Sequence, residues 1–417
     1  MNKKHFLAVI LAVFLMIVII AGVPGCTVTI SADNLMKGVH KNTDIKAKPI
    51  DGKTAAAVAD FGVKLLKEAN VSGNNILLSP VSVLASLSMT ANGAKNNTLL
   101  QMEKTFGVGI DELNDFFKTY LSSLPQDAKN KLKIANSIWV NKRSVIDLSK
   151  DFLQKNADYY NADAYFTVFD DNALKDINNW VKIHTGNMIK EVTDSIKPEE
   201  DTIFLLNVLS FDAEWEKPYK EGSDEHEGDF TNENGIKTKV MMLYSEESLF
   251  IETELSKGFV KPYANGKYAF AALLPNTGVS MEALIDSLDG NKLVNALSGR
   301  AEISVGAKIP KFKTSYSADL SHALEKVGLK DAFSGAEADF SGIGISQNPL
   351  FIGGVIHKTF ISVAERGTKA AAVSDLIMHT GGLPTEAVYL NRPFIYMLID
   401  LENNIPFFIG KLADVRE

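Results

Sequence analysis

Residues 365–384 read Glu-Arg-Gly-Thr-Lys-Ala-Ala-Ala-Val-Ser-Asp-Leu-Ile-Met-His-Thr-Gly-Gly-Leu-Pro, ERGTKAAAVSDLIMHTGGLP, and lie just ahead of the last apolar runs of the chain. Their local propensities conflict. The three consecutive alanines favour helix, Gly367 and the Gly381-Gly382-Leu383-Pro384 close mark turns, and Val373, Ile377 and Thr380 suit an extended chain. Side-chain alternation separates these readings. Along an extended chain with a period of two, Thr368, Ala370, Ala372, Ser374, Leu376 and Met378 share one face, while Lys369, Asp375 and His379 fall on the other. Every charged or titratable residue after Arg366 avoids the first face, a sorting that a helix would not produce. An extended segment with one small, uncharged face is favoured over an alanine-rich helix.

Outward from this segment, the apolar runs at Leu350 to Val363, Ala387 to Leu390, Phe394 to Asp400 and Phe407 to Lys411 read as strands, as do Lys133 to Val140, Ile203 to Phe211, Tyr268 to Leu274 and Glu302 to Lys308. Helical spacing of apolar residues marks Ala55 to Ala69, Val81 to Ala91 and Leu174 to Val192. Helices lead and strands dominate the second half, which predicts an α+β fold with mostly antiparallel sheets. No repeat, low-complexity block or Pro/Gly-rich linker interrupts residues 54–417, which read as one domain.

The chain has 417 residues, 46% of them hydrophobic and 23% charged, enough to bury a large core. Acidic residues outnumber basic ones 51 to 43, and no basic stripe with interleaved aromatics is present, which argues against nucleic acid as a partner. Motifs for zinc hydrolysis, a serine nucleophile elbow, a phosphate-binding loop or a dinucleotide fold are absent. The histidines do not pair at metal-ligand spacings, and no cofactor, metal or catalytic residue is expected.

At the amino terminus Lys3 and Lys4 precede an unbroken apolar run from Phe6 to Ala21, followed by Gly22-Val23-Pro24-Gly25-Cys26. This is an export signal, with a run shorter than the roughly 20 residues of a spanning helix. A cysteine directly after small residues resembles the lipobox of bacterial lipoproteins, where lipid is attached to the cysteine. The alternative is an ordinary signal peptide cut near Gly25. Residues 1–25 are expected to be a lipoprotein-type signal, with the product exported and anchored at the cell surface by lipid on Cys26. Cys26 is the only cysteine, so neither an intramolecular disulfide nor a cysteine nucleophile is available. The polar stretch 26–53 is expected to be a flexible tether spanning about 30 Å and holding the domain clear of a membrane.

Two polar residues stand out among apolar neighbours. Asn207 shares a face with Ile203, Leu205, Leu209 and Phe211, and His357 sits inside LFIGGVIHKTFISV. Each needs buried partners. Ser79-Pro80 opens a helix, with the serine as cap and the proline as first helical residue.

Six segments in order resemble one family, the serpins: NILLSPVSVLASLSM (Asn75 to Met89), INNWVKIHTGNMI (Ile177 to Ile189), LLNVLSFDAEWEKPY (Leu205 to Tyr219), ADFSGI (Ala338 to Ile343), HKTFISVAERGTKAAA (His357 to Ala372) and NRPFIYMLID (Asn391 to Asp400). The resemblance implies a serpin fold of prokaryotic type, with three mostly antiparallel β-sheets, eight or nine helices and an exposed reactive-centre loop. It also implies a suicide inhibitor. A serine protease cuts the loop and forms its acyl-enzyme, and the freed loop inserts as a new strand in the main sheet. Glu365, Gly367, Thr368, Ala370, Ala371 and Ala372 match the hinge of inhibitory members, with Arg366 where acidic residues are common. Ser79, Ser82, Asn207 and His357 match the cluster beneath the point where the sheet opens, to which Trp215 is added. Counting about sixteen residues from Glu365 places the cut after Gly381, and counting back from Asn391 places it after Gly382, between the neighbours Thr380 and Leu383. The partners implied are a target serine protease and, through Cys26, a membrane, with the protein acting as a monomer. A non-inhibitory protein of the same fold and a solute-capturing lipoprotein are the alternatives, and the small-residue hinge favours neither. In the uncut protein Thr368 is expected at the exposed base of the loop.

Overall fold

The run PVSVLASLSMTA carries apolar and small residues on all sides, and a helix of that kind can only be a buried one. It forms α2 (Pro80–Ala91), buried along its whole length between two large sheets. The computed structural model describes residues 29–125, 130–186, 191, 203–368 and 384–416. Residues 1–25, expected to be a signal, Cys26 and the loop residues Ala370, Ala371, Ala372, Thr380, Gly381, Gly382 and Leu383 lie outside these, as does the side chain of Asn207.

The first sheet has seven strands in the order β1 (Asp33–Asn34), β5 (Asp163–Thr167), β3 (Asn130–Asn141), β6 (Ile203–Glu214), β15 (Gly367–Thr368), β14 (Ile352–Ala364) and β12 (Phe312–Asp319). The second has nine: β16 (Glu386–Tyr389), β11 (Ala301–Pro310), β8 (Lys237–Glu252), β9 (Ser256–Pro262), β10 (Tyr268–Pro275), β17 (Phe394–Asp400), β18 (Ile405–Leu412) and β2 (Ile76–Leu78), with β7 (Glu225–Thr231) paired on β8. A two-stranded ribbon joins β13 (Gly344–Ser346) to β4 (Val145–Leu148). Pairing is mostly antiparallel, with β3–β5, β6–β14 and β11–β16 parallel.

Nine α-helices lie within the described residues. Besides α2 they are α1 (Gly52–Ala69), α3 (Asn96–Phe106), α4 (Ile110–Ser122), α5 (Lys150–Tyr160), α6 (Asp171–Thr185), α7 (Met281–Ser287), α8 (Gly290–Ser298) and α9 (Ser321–Val327). Asp51 caps α1 by accepting from the Thr54 amide at 2.8 Å. Asp170 starts α6, and Gly186 ends it in the left-handed region at φ 59°. Helix α6 lies over β3 and β6 on the outer face of the first sheet. Residues of β6 therefore alternate between two cores. Ile203, Leu205, Leu209 and Phe211 face the main core with α2, whereas Phe204, Leu206 and Val208 join Trp139, Tyr165 and Trp180 beneath α6.

The stretch expected to be a flexible tether is instead anchored over its described part. Asp176 of α6 is buried, and a buried carboxylate needs donors. It receives three from one site: the Ser31 amide at 3.0 Å, the Ser31 hydroxyl at 2.7 Å and the Ala32 amide at 2.8 Å. Asp33 and Asn34 then pair with β5, and Leu35, Met36, Val39 and Ile50 pack on the main core. The partners on α6 and β5 lie more than a hundred residues away along the chain, so the composition of the stretch could not disclose them.

Candidate functional site

The strands β6 and β14 are paired only at one end. Their parallel ladder runs Ile352↔Ile203, Val355↔Leu205, Ile356↔Leu206 and then stops. From Asn207 and His357 onward no described residue of one strand pairs with the other until the far end, where β15 is wedged between them. Thr368 there pairs with Val363 and Ala213, and Gly367 with Ala364 and Glu214, both antiparallel. The sheet is parted along its middle and bridged at its top by two residues of the hinge.

Four distant elements hold this wedge. Thr368 is 1% exposed, and its hydroxyl is 2.7 Å from the Tyr263 hydroxyl. Gly367 has φ 152°, and a Cβ there would lie 2.0 Å from the Ala213 carbonyl oxygen, so only glycine lets β15 approach β6 this closely. Trp215 stacks on Tyr263 with ring centroids 4.5 Å apart, and its indole NH donates to the Ala364 carbonyl at 2.9 Å. Lys311 bonds Glu365 and lies 3.4 Å from Glu225. Burial pushes the Glu365 carboxyl up, but the hydrogen bond and charge of Lys311, together with hydrogen bonds from the backbone and Glu225, more than offset this and leave it below its ordinary value. Burial likewise pulls Lys311 down, and Glu365 and Glu225 together raise it above.

The expectation that Thr368 lies exposed in the uncut protein is therefore corrected: it is already a sheet residue, because Tyr263 offers its hydroxyl a partner and Val363 and Ala213 offer its amide group a ladder. Thr368→Arg should accordingly not be silent. It is expected to cost about 2 kcal/mol in the uncut protein, limited to that because the two-residue strand can leave the sheet sooner than bury a charge. Tyr263→Phe should cost about 1 kcal/mol. A change in Trp215 fluorescence with Thr368→Arg, and none with Lys369→Glu, is the measurement that checks it.

At the other end of the parting, where the ladder ends, the underside of β14 is clasped to the start of α2. The Ser79 amide donates to His357 Nε2 at 3.1 Å, and the Thr359 hydroxyl donates to the Leu77 carbonyl at 2.6 Å. Ser82 is buried in the same helix. Ser79 occupies the cap position, but its hydroxyl makes no capping bond and has no partner among the described residues, a correction to the expected cap. Asn207 pairs through its backbone with Asn136 of β3. Trp215 is not part of this group: it sits with the wedge at the opposite end of the parting. The structure thus brings Ser79, Ser82 and His357 together and places Trp215 with Glu365, Gly367 and Thr368.

Burial pushes the imidazole of His357 down to about 4 from an ordinary 6.5. Its Nε2 accepts a bond, so the folded ring is neutral. Because the folded pKa is depressed for a base, the unfolded chain takes up a proton as pH falls through 6.5 while the folded one does not until about 4. Stability from this group is complete above that window and is lost across it, by about 3 kcal/mol in full. Urea midpoints measured from pH 7 to pH 4 should fall less steeply in His357→Gln than in the parent; an unchanged slope would contradict this.

Sequence reasoning missed Lys261, Tyr263 and Glu247. Lys261 is buried on β9, with its ammonium 2.8 Å from Glu247 and over the rings of Tyr219 and Trp215 at 4.5 and 5.5 Å. The available signal was a lysine inside the otherwise apolar GFVKPY, of the same kind that singled out His357.

The serpin family, described as serine protease inhibitor, matches residues 56–415. An uncharacterised serpin-like protein of Thermococcus kodakarensis is 28% identical over 372 residues, covering 87% of this chain and 85% of that protein. The crystal structure of the thermophilic serpin tengpin in its native state superimposes with a TM-score of 0.87 at 44% identity, over 92% of this chain and 99% of that one. The latent state of tengpin gives 0.79 at 44% identity, over 89% and 100%.

Proposed function

The chain belongs to the serpin family, whose members are generally protease inhibitors, and from that premise we propose that it is an exported suicide inhibitor of serine proteases, trapping its target by inserting the cleaved loop between β6 and β14. The observation that carries this reading is the parted sheet with two hinge residues, Gly367 and Thr368, already seated in it. Continuing the registers of Thr368 with Val363 and Ala213 residue by residue puts Ala370 level with Ile361 and Phe211, Ala372 with Thr359 and Leu209, and Ser374 with His357 and Asn207. Directly opposed residues share a face. Ile361, Phe211, Thr359, Leu209 and His357 are all buried, whereas Phe360, level with Ala371, is 43% exposed. The small, uncharged face of the loop thus meets the core, and its charged face meets solvent. Ser374 reaches the end of the open stretch, and insertion beyond it requires the β6–β14 ladder to part further.

The residues around the cut, Thr380, Gly381 and Gly382, carry no long or charged side chain. A trypsin-like pocket would gain no partner for its buried carboxylate from them, so elastase-like or subtilisin-like proteases are the targets in this reading. Incubation with proteases of the three kinds on a denaturing gel tests it. A covalent band with an elastase-like or subtilisin-like enzyme is expected; clean cleavage without a band marks a substrate, and faster trapping of trypsin overturns the assignment. The mass of the released carboxyl-terminal peptide decides between a start at Gly382 and one at Leu383.

Lipid attachment at Cys26 belongs to the same reading and is supported by the small residues ahead of it. In a bacterial host Cys26→Ala should move the protein out of the membrane fraction, since acyl chains contribute roughly 0.8 kcal/mol per buried methylene. Equal fractionation of the two forms removes this part of the reading.

A further inference from the structure

With Cys26 lipidated, the anchored chain has little freedom. Cys26 lies only three positions before Thr29, a reach of about 11 Å when fully extended, comparable to the width of one helix with its side chains. Thr29 is exposed, and its carbonyl accepts from Asn179 of α6 at 3.2 Å. Ser31 and Ala32, next along the chain, are fixed to Asp176 of the same helix. The point of attachment therefore leaves the body beside the outer face of α6. That face carries Lys175, Asn179 and Lys182, three and four residues apart and so in one stripe. Beside it stands Ile183, 48% exposed. The cap residue Asp170 and Asp171 put two exposed carboxylates at the start of the helix, so the lysines lie toward its middle and end, in a chain whose net charge is −8.

We propose that the outer face of α6, with Lys175, Lys182 and Ile183, is the membrane-facing side of the protein, held by the lipid on Cys26 against an anionic bilayer surface. The proposal rests on the lipid attachment put forward above. Two lysines and an exposed isoleucine next to the anchor match a headgroup layer that is negatively charged outside and apolar beneath, and the short reach leaves no slack for the domain to turn another side to it. The notion of a domain held clear of the membrane by a long tether is replaced by one docked on the helix that covers the parted sheet.

Because Cys26 is the only cysteine and lipid would occupy its thiol, a single introduced cysteine can report position. Ile183→Cys on α6 and Asp286→Cys on α7, which packs on α1, are labelled with an environment-sensitive fluorophore in the full-length lipidated protein on phosphatidylglycerol-containing vesicles. Lipids carrying a quencher on the headgroup should quench the label at 183 several-fold more than that at 286. Inserting a flexible Gly/Ser spacer on the order of 20 residues after Val28 should abolish the difference while leaving membrane fractionation intact. Equal quenching at both sites in the parent-length protein overturns the orientation and leaves lipid attachment standing. If Cys26→Ala fractionates like the parent, lipid attachment fails and the orientation fails with it.

Discussion

Ala372→Arg is expected to turn the inhibitor into a substrate. In the register set by β15 this side chain enters level with Leu209 and Thr359, 3% and 2% exposed, so the guanidinium would have to be buried as the loop inserts. An unpaired buried charge costs several kcal/mol even after relaxation. Insertion competes with hydrolysis of the acyl-enzyme from one intermediate. If about 3 kcal/mol of the cost appears in the insertion barrier, insertion slows roughly a hundredfold, and hydrolysis wins. The variant should be cut at the same bond by the same protease and release it active. Lys369→Glu, level with the half-buried Asp212 and Ser362 on the outward face, should trap almost as the parent does. Stoichiometry of inhibition measured on the three proteins checks this. Unchanged trapping by Ala372→Arg would mean that the loop does not insert in this register.

Glu247→Leu is expected to destabilise the uncut protein by about 3–5 kcal/mol, because it leaves Lys261 buried without its carboxylate. The two side chains are 2% and 6% exposed, and apart from Glu247 the ammonium has the Lys217 carbonyl at 3.2 Å. Pairing Glu247→Leu with Lys261→Leu removes both charges and should recover most of the loss, since a buried pair is often matched in stability by apolar residues of similar volume. The urea midpoints of the single and double variants decide the matter, and a double variant as weak as the single would show that packing, not charge, sets the effect. Trp215, which reaches from Lys261 to the Ala364 carbonyl, should report the loss first, because it ties this pair to the hinge.

Much of the fold was legible in the chain. Phe394–Asp400 is a strand with the bounds that its apolar run predicts, Pro80 opens α2, and the alternation of Ile203, Leu205, Leu209 and Phe211 marks the face of β6 that meets the main core. Other elements were not singled out. The helices α3, α4 and α5 are among them, and they pack against α1, α2 and one another. The odd polar residues were found by their setting, His357 in its apolar run among them, but the sequence grouped Trp215 with Ser79 and His357, and the structure separates them by the length of the parting.

What the sequence alone determined is the two-faced character of residues 368–378, since alternation is a property of the chain and survives whatever the chain packs against. What only the tertiary structure decided is that the start of this segment is already in the sheet in the uncut protein. Thr368 is inside the sheet because Tyr263, Val363 and Ala213 meet it there, and Thr29 to Ala32 lie on α6 because a buried Asp176 must be given donors. Such partners are set by contacts between segments far apart along the chain, and a buried polar group takes whichever donor or acceptor the fold brings within reach, which no local pattern records.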